Sequence, residues 1–259
     1  MGVLDGLGIL VTRPEQQSNA LCRLLTAEGG TPLRFPAMEI RARVDRAAVR
    51  AAVGPVDRYG LIVFVSANAV RFGAPLLEQR RELRIAAVGG ATAQALNAAG
   101  YRVALRPDDG ADSEALLRLP ELRHLAGQRV LIVRGTGGRE HLATELAARG
   151  AEVVYAEVYE RGPAQPTQQQ RAQLETLWTQ GAVHVYTVTS VELLDLLLPL
   201  LPPACRDRLP VTTALCGSER IAAHLRELDL GSPTVVAASS EDASLVEALV
   251  AWRIQQRRR

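Results

Sequence analysis

The chain has 259 residues, 47% hydrophobic and 22% charged, which suits two ordinary domains with buried cores and excludes a disordered or fibrous protein. Its 30 basic residues are all arginine and the formal net charge is +2, so a Schiff-base or phosphate-loop lysine is excluded and no nucleic-acid or membrane partner is expected. Cys22, Cys205 and Cys216 form no CxxC, and His124, His141, His184 and His224 form no HxH, HExxH or HxxxH group, which argues against a disulfide framework, a metal site and a metal cofactor.

In chain order, Met1 to Leu7 carries no basic or apolar leader pattern, so a cytoplasmic protein is expected. Ile9-Leu10-Val11 reads as a strand, followed by Thr12-Arg13-Pro14 and an amphipathic helix with Leu21, Leu24 and Leu25 on one face. Pro14 suits a first helical position and Gly29 or Gly30 its stop. A second extended run passes through Phe35-Pro36 to Ile40. Val63-Phe64-Val65-Ser66 leads into a helix, and Ile85 to Gly89 leads into Thr92-Ala93-Gln94-Ala95-Leu96. A helix cap is expected at Ser113-Glu114.

The pattern then repeats. Val130 to Arg134 is a strand, Arg139 to Arg149 a helix with Leu142 and Leu146, and Gly150 its cap. Aligning Arg13 with Arg134 also aligns Gly29 with Gly150 without a gap. Glu152 to Tyr159 is extended, Tyr186 to Ser190 leads into a helix, and Thr213 to Cys216 leads through Ser218 into Ile221 to Leu225. Leu193 to Leu201 is apolar, but too short to span a bilayer and interrupted by Asp195 and Pro199; it reads as a buried helix. The last cap is expected near Ser239 to Asp242. Two copies of about 120 residues indicate two similar α/β domains with parallel sheets. The chain could be cut at about residue 125, or the strands could be exchanged so that one domain is inserted in the other. Pro32 to Arg41 and Val153 to Arg161 look like matched crossovers. Ligands of open parallel sheets sit beyond the carboxyl ends of the strands, and two such domains facing each other would make a cleft.

Three features carry candidate chemistry. Gly135-Thr136-Gly137-Gly138-Arg139-Glu140 follows a strand and opens a helix, but Glu140 stands where a dinucleotide loop needs its third glycine. An anion site on free backbone N–H groups stands there against a plain tight turn. Thr12, Ser66, Thr92, Thr189, Ser190 and Ser218 lie at helix starts, where each alone is an ordinary cap and together they offer donors for a carboxylate-rich ligand. Tyr159 ends a crossover; locally it reads as a half-buried strand tyrosine, as does Tyr155. Arg13 and Arg134, paired by the repeat, either join a carboxylate site or brace the strand ends.

Read in order, these residues resemble the uroporphyrinogen-III synthase family, in its proteobacterial branch. The resemblance rests on Ile9 to Pro14, Val88-Gly89-Gly90-Ala91-Thr92-Ala93, Leu119 to Leu122, Gly127 to Arg129, Leu131 to Glu140, Arg149 to Tyr159, Thr189 to Glu192 and Ser218 to Arg220. It covers about residues 8 to 250. It implies two similar α/β domains joined by a two-stranded linker and facing each other across a cleft, with residues 37–163 inserted between residues 1–36 and 164–259. It implies a cyclising lyase of haem biosynthesis with no metal or organic cofactor; a monomer is expected, in the reducing cytoplasm that the sparse cysteines indicate. Its substrate would be hydroxymethylbilane, closed to uroporphyrinogen III with inversion of ring D and loss of water. Hydroxymethylbilane synthase is the partner expected for a transient contact. The implied catalytic residue is Tyr159; the expected substrate-binding residues are Thr12, Arg13, Ser66, Thr92, Arg134, Gly135, Gly138, Ser190 and Ser218. Val65 stands before Ser66 where a threonine is usual, and Ser218-Glu219-Arg220-Ile221 replaces a second GxxTA phrase, so no threonine role carries over there. Two rival readings are an anion-sensing clamshell without chemistry and a nucleotide-dependent enzyme using the Gly135 loop.

Overall fold

The protein is described by a computed structural model covering residues 2–78 and 82–258. The chain divides into two compact units, Met1–Glu39 with Gly162–Arg259, and Ile40–Arg161. Ten strands are described: β1 (Gly8–Val11), β2 (Thr31–Arg34), β3 (Met38–Ala42), β4 (Leu61–Phe64), β5 (Ile85–Ala87), β6 (Arg129–Gly135), β7 (Glu152–Pro163), β8 (Val185–Val188), β9 (Thr213–Cys216) and β10 (Thr234–Val236). Both passages of the chain between units fall within β3 and β7.

The discontinuous unit carries a parallel sheet in the order β10-β9-β8-β1-β2. The inserted unit carries β3-β7-β6-β4-β5, with the last four parallel. β3 lies antiparallel to β7: the Arg43 N–H donates to the Val158 carbonyl and the Ala164 N–H to the Ala37 carbonyl, so the numbers run in opposite senses. Matched as the sequence repeat matches them, β1 with β6, β2 with β7, β8 with β4 and β9 with β5, the strands lie in the same spatial order in both units, β2-β1-β8-β9 in one and β7-β6-β4-β5 in the other. The sequence repeat is therefore a repeat of topology, and the strand order reverses between β1 and β8 in one unit and between β4 and β6 in the other.

The strands read as unbroken apolar runs because helices cover both faces of each sheet. Leu10 packs into one core and Ile9 and Val11 into the opposite one; Ile62 and Phe64 alternate with Leu61 and Val63 in the same way. Gly29 and Gly150, aligned by the repeat, both follow helices with φ of 88° and 92°, the left-handed geometry that lets a helix stop and turn toward the next strand. The Leu-rich run forms the helix Val191–Leu200, burying Leu193, Leu194, Leu197 and Leu200. No helix among the described residues is long and apolar enough to cross a membrane.

Four local expectations need correction. Pro14 sits one residue outside its helix, which begins at Glu15. The helix expected from Arg139 begins at His141, because Gly137 takes φ of 72° and the glycine loop runs on to Glu140. The extended run through Phe35 and Pro36 is two strands: Phe35 and Ala37 still donate to the Val11 and Thr12 carbonyls, but Pro36 between them has no N–H to offer. The cap near Ser113 is Asp112, whose carboxylate accepts from the Ala115 N–H at 2.7 Å.

One surface contact makes stability depend on pH. His224 Nε2 lies 2.8 Å from Asp195, one helix away, and Nδ1 lies 3.4 Å from Glu227. Its pKa is raised, first by the hydrogen bond to Asp195 and then by that to Glu227. A raised folded-state pKa means that the stabilisation is complete below the ordinary histidine value of ~6.5 and is lost as pH rises through the higher folded value. His224→Gln is thus expected to lower Tm at about pH 5.5 and leave it unchanged at about pH 9. Equal Tm differences at both pH values would contradict the assignment.

A candidate active site at the strand ends

The sequence-flagged residues lie at or just beyond the carboxyl ends of parallel strands, each within its own unit. Ser66 follows β4 and caps the helix Ala67–Gly73, accepting from the Ala69 N–H at 3.0 Å. Tyr159 lies 93 positions away in sequence, yet its hydroxyl is 3.3 Å from the Ser66 hydroxyl. Its ring is 3% exposed, 5.8 Å from the Phe72 ring and packed against Gly135 at the end of β6. The Tyr159 carbonyl accepts from the Thr136 N–H at 2.9 Å, which ties the glycine loop to the same strand.

A register shift delivers Tyr159 to this place. Along β6 and β7 the pairs advance one by one to Arg134↔Glu157, and then Gly135 pairs with Tyr159. The extra residue, Val158, is a β-bulge that reverses the alternation of side chains. Tyr155 and Tyr159, four residues apart, would share a face of a regular strand; instead Tyr155 packs on one side of the sheet and Tyr159 on the other. Gly135 is required beneath the ring, since a Cβ there would sit 2.5 and 2.6 Å from two ring carbons.

On the opposite side Arg134 is 3% exposed. Its Nη1 donates to Glu140 at 3.1 Å and its Nε to the Gly135 carbonyl at 3.2 Å. Its guanidinium lies 4.5 Å from the Tyr155 ring centre, and Tyr155 donates to the second oxygen of Glu140. The hydrogen bond from Tyr155, ahead of the Arg134 contacts, holds the Glu140 carboxyl below the usual range. Burial, then the Glu140 carboxylate, pushes the Tyr155 phenol up to about 12, so it stays a neutral donor. Arg134 Nη2 is buried without a partner, and Gly138 makes room for it, since a Cβ there would sit 2.7 Å away. Most of this guanidinium is committed to bracing the loop.

In the discontinuous unit Thr12 is fully buried: its hydroxyl donates to the Thr187 carbonyl at 2.5 Å and its N–H to the Thr187 hydroxyl at 3.2 Å. That pair clamps β1 to β8 and leaves the Thr12 hydroxyl committed internally. Arg13 bonds Asp242, the Ser240 carbonyl and, at 3.4 Å, the Thr189 hydroxyl. Of the two roles open for Arg13, bracing is the one this geometry fits. Arg13 and Asp242 are 12% and 22% exposed, so Asp242→Ala should cost about 1–3 kcal/mol in chemical unfolding, because a largely buried guanidinium loses its counter-charge. An unchanged unfolding midpoint would contradict that role.

Ser190 caps the next helix through the Leu193 N–H at 3.0 Å. Ser218 has the same N-cap backbone but makes no side-chain cap hydrogen bond. Thr92 lies in the first turn of Gly90–Ala98, which Gly89 caps without a side chain. Sequence reasoning did not single out Thr187, Phe72 or the Arg134–Tyr155–Glu140 arrangement. A threonine amid the apolar Val185-Tyr186-Val188 was a readable sign of a buried polar clamp; the Phe72–Tyr159 contact depends on the bulge, and the Arg134–Tyr155–Glu140 contacts on the path of the glycine loop.

Comparison with known proteins gives a consistent result. The family model described as Uroporphyrinogen-III synthase HemD matches residues 19–247. Over 245 residues, the chain is 34% identical to the uroporphyrinogen-III synthase of Escherichia coli and 36% identical to that of Salmonella typhimurium, each alignment covering 92% of this chain and 98% of the relative. Among solved structures, the uroporphyrinogen-III synthetase of Helicobacter pylori matches with a TM-score of 0.63 at 17% identity, over 95% of this chain and 99% of that one, which shows a shared fold.

Proposed function

The chain belongs to the uroporphyrinogen-III synthase family, and from that premise we propose that it converts hydroxymethylbilane to uroporphyrinogen III through a site built on Ser66 and Tyr159. It is a cyclising lyase of tetrapyrrole biosynthesis. The observation that carries the functional reading is the end-to-end similarity to curated synthases; the one that carries the site is the Ser66–Tyr159 hydroxyl pair.

The reaction breaks the C–O bond of the terminal hydroxymethyl group. The departing hydroxyl takes a proton and leaves as water, while the adjacent pyrrole nitrogen supplies electrons to the cationic carbon. The substituted carbon of ring D attacks, giving a spiro intermediate that fragments and recloses with ring D inverted. The same substrate also closes unaided to the uninverted isomer, so the protein's main contribution is orientation. The Ala69 N–H donates to the Ser66 oxygen, which leaves the Ser66 proton for Tyr159 and the Tyr159 proton for the leaving hydroxyl. Hydrogen bonds in such a relay polarise one another, which strengthens a phenol as a donor.

In the same reading Thr92, Ser190 and Ser218, with backbone N–H groups at the Gly135 and Gly138 loop, hold substrate carboxylates. Thr12, Arg13 and Arg134 keep those strand ends in place. A cytoplasmic monomer completes the proposal; the free thiols Cys22, Cys205 and Cys216 fit a reducing compartment. The test is to generate hydroxymethylbilane in place, add the protein, oxidise, and separate the porphyrin isomers. The expected product is mainly type III. Type I at the enzyme-free level in the presence of folded protein would overturn the reading in favour of a binding protein.

A further inference from the structure

Beside Tyr159 the inserted unit carries a cavity of about 400 Å³ that none of the roles above uses. Val49, Phe72 and Val158 supply apolar lining, and Arg43, Arg46 and Arg50 supply charge. Arg43 is already paired with Glu157 at 3.2 Å. Arg46 and Arg50 lie one turn apart on the helix Arg46–Val53, and among the described residues neither has a carboxylate within ion-pair distance. Like charges at that spacing repel one another, so the pair gains from an anion placed between them. Phe72 lines this cavity and also packs on the Tyr159 ring, so it links the cavity to the hydroxyl pair.

Two uncompensated guanidinium groups beside an apolar, aromatic lining match one kind of occupant: a flat, electron-rich ring bearing two carboxylates. The substrate of the preceding section has eight carboxylates on four pyrrole rings, two to a ring. We propose that this cavity receives one pyrrole ring of the tetrapyrrole, with its two carboxylates on Arg46 and Arg50. The inference rests on the synthase reading and adds a subsite and two specificity-determining residues to it. Binding there would restrain the chain beside Tyr159 while touching no reacting atom, so its effect belongs in KM.

The test compares Arg46→Gln/Arg50→Gln with wild type and with Arg102→Gln/Arg123→Gln, which removes the same charge from exposed positions of the same unit. The probes are hydroxymethylbilane turnover and fluorescence titration with uroporphyrin III, the stable oxidised octacarboxylate. The expected result is a rise of about tenfold or more in KM and in the uroporphyrin Kd for the first pair, with kcat within about threefold. Arg46→Lys/Arg50→Lys should recover most of the loss, which a collapsed helix would not. Wild-type KM and Kd in the first variant, or an equal rise in the control, would overturn the subsite while leaving the synthase reading intact. Wild-type protein that yields only type I product would instead remove the reading on which the subsite rests.

Discussion

Tyr159→Phe is expected to lower turnover by about 10²–10⁴-fold and to leave the fold intact, the range that general acid assistance contributes. The phenylalanine ring keeps the packing that fixes the position, since Gly135 and Phe72 meet the ring and not the hydroxyl. What is lost is the 3.3 Å contact with Ser66, worth about 1 kcal/mol of stability, and the donor proposed for the leaving group. A Tm lowered by no more than a few degrees, with turnover reduced through kcat, is the predicted signature. Turnover at the wild-type level would leave Tyr159 a packing residue only.

Gly135→Ala should damage both stability and activity. The added Cβ would meet the Tyr159 ring at 2.5 Å, well inside van der Waals contact, and the ring is buried against Phe72 with little room to retreat. Overpacking of this kind costs about 1–3 kcal/mol. The ring, its backbone at a bulge, must leave its present place beside Ser66, and a displacement of about 1 Å can cost 10²-fold in rate. Unfolding curves and turnover measured on the same preparation check both halves. In a Tyr159→Leu background the alanine should cost much less, because the narrower side chain no longer presses on Cβ; an equal cost there would place the strain elsewhere.

Much of the fold was legible because it depends on local rules. The apolar runs at Ile9 to Val11 and Val130 to Val133 mark strands buried on both faces, and Gly29 and Gly150 mark helix stops that only a left-handed residue makes easily. Their recurrence at equal spacing carried the repeat, and the repeat carried the two-domain α/β architecture. Tyr159 and Ser66 were each legible as candidates, but their meeting was not: no sequence periodicity announces that Val158 is inserted against β6 and turns Tyr159 to the face where Ser66 lies. Tyr155 lies before that insertion, in regular register with β6, so it shares the face of Arg134, and the glycine loop brings Glu140 to both. Thr12 and Arg13 could be read as donors near a strand end, but only the positions of Thr187 and Asp242 show those donors already taken. Long-range partners, rather than residue type, decided which polar groups remain for a ligand.

The most direct test of the Ser66–Tyr159 site is a double-mutant cycle on single-turnover conversion of hydroxymethylbilane, with type III product quantified for wild type, Ser66→Ala, Tyr159→Phe and the double variant. If the two hydroxyls form one proton-donating unit, the double variant should be scarcely slower than Tyr159→Phe alone, with a coupling of about 1 kcal/mol or more between them. Losses that simply multiply, or single variants that form type III product at the wild-type rate, would contradict it.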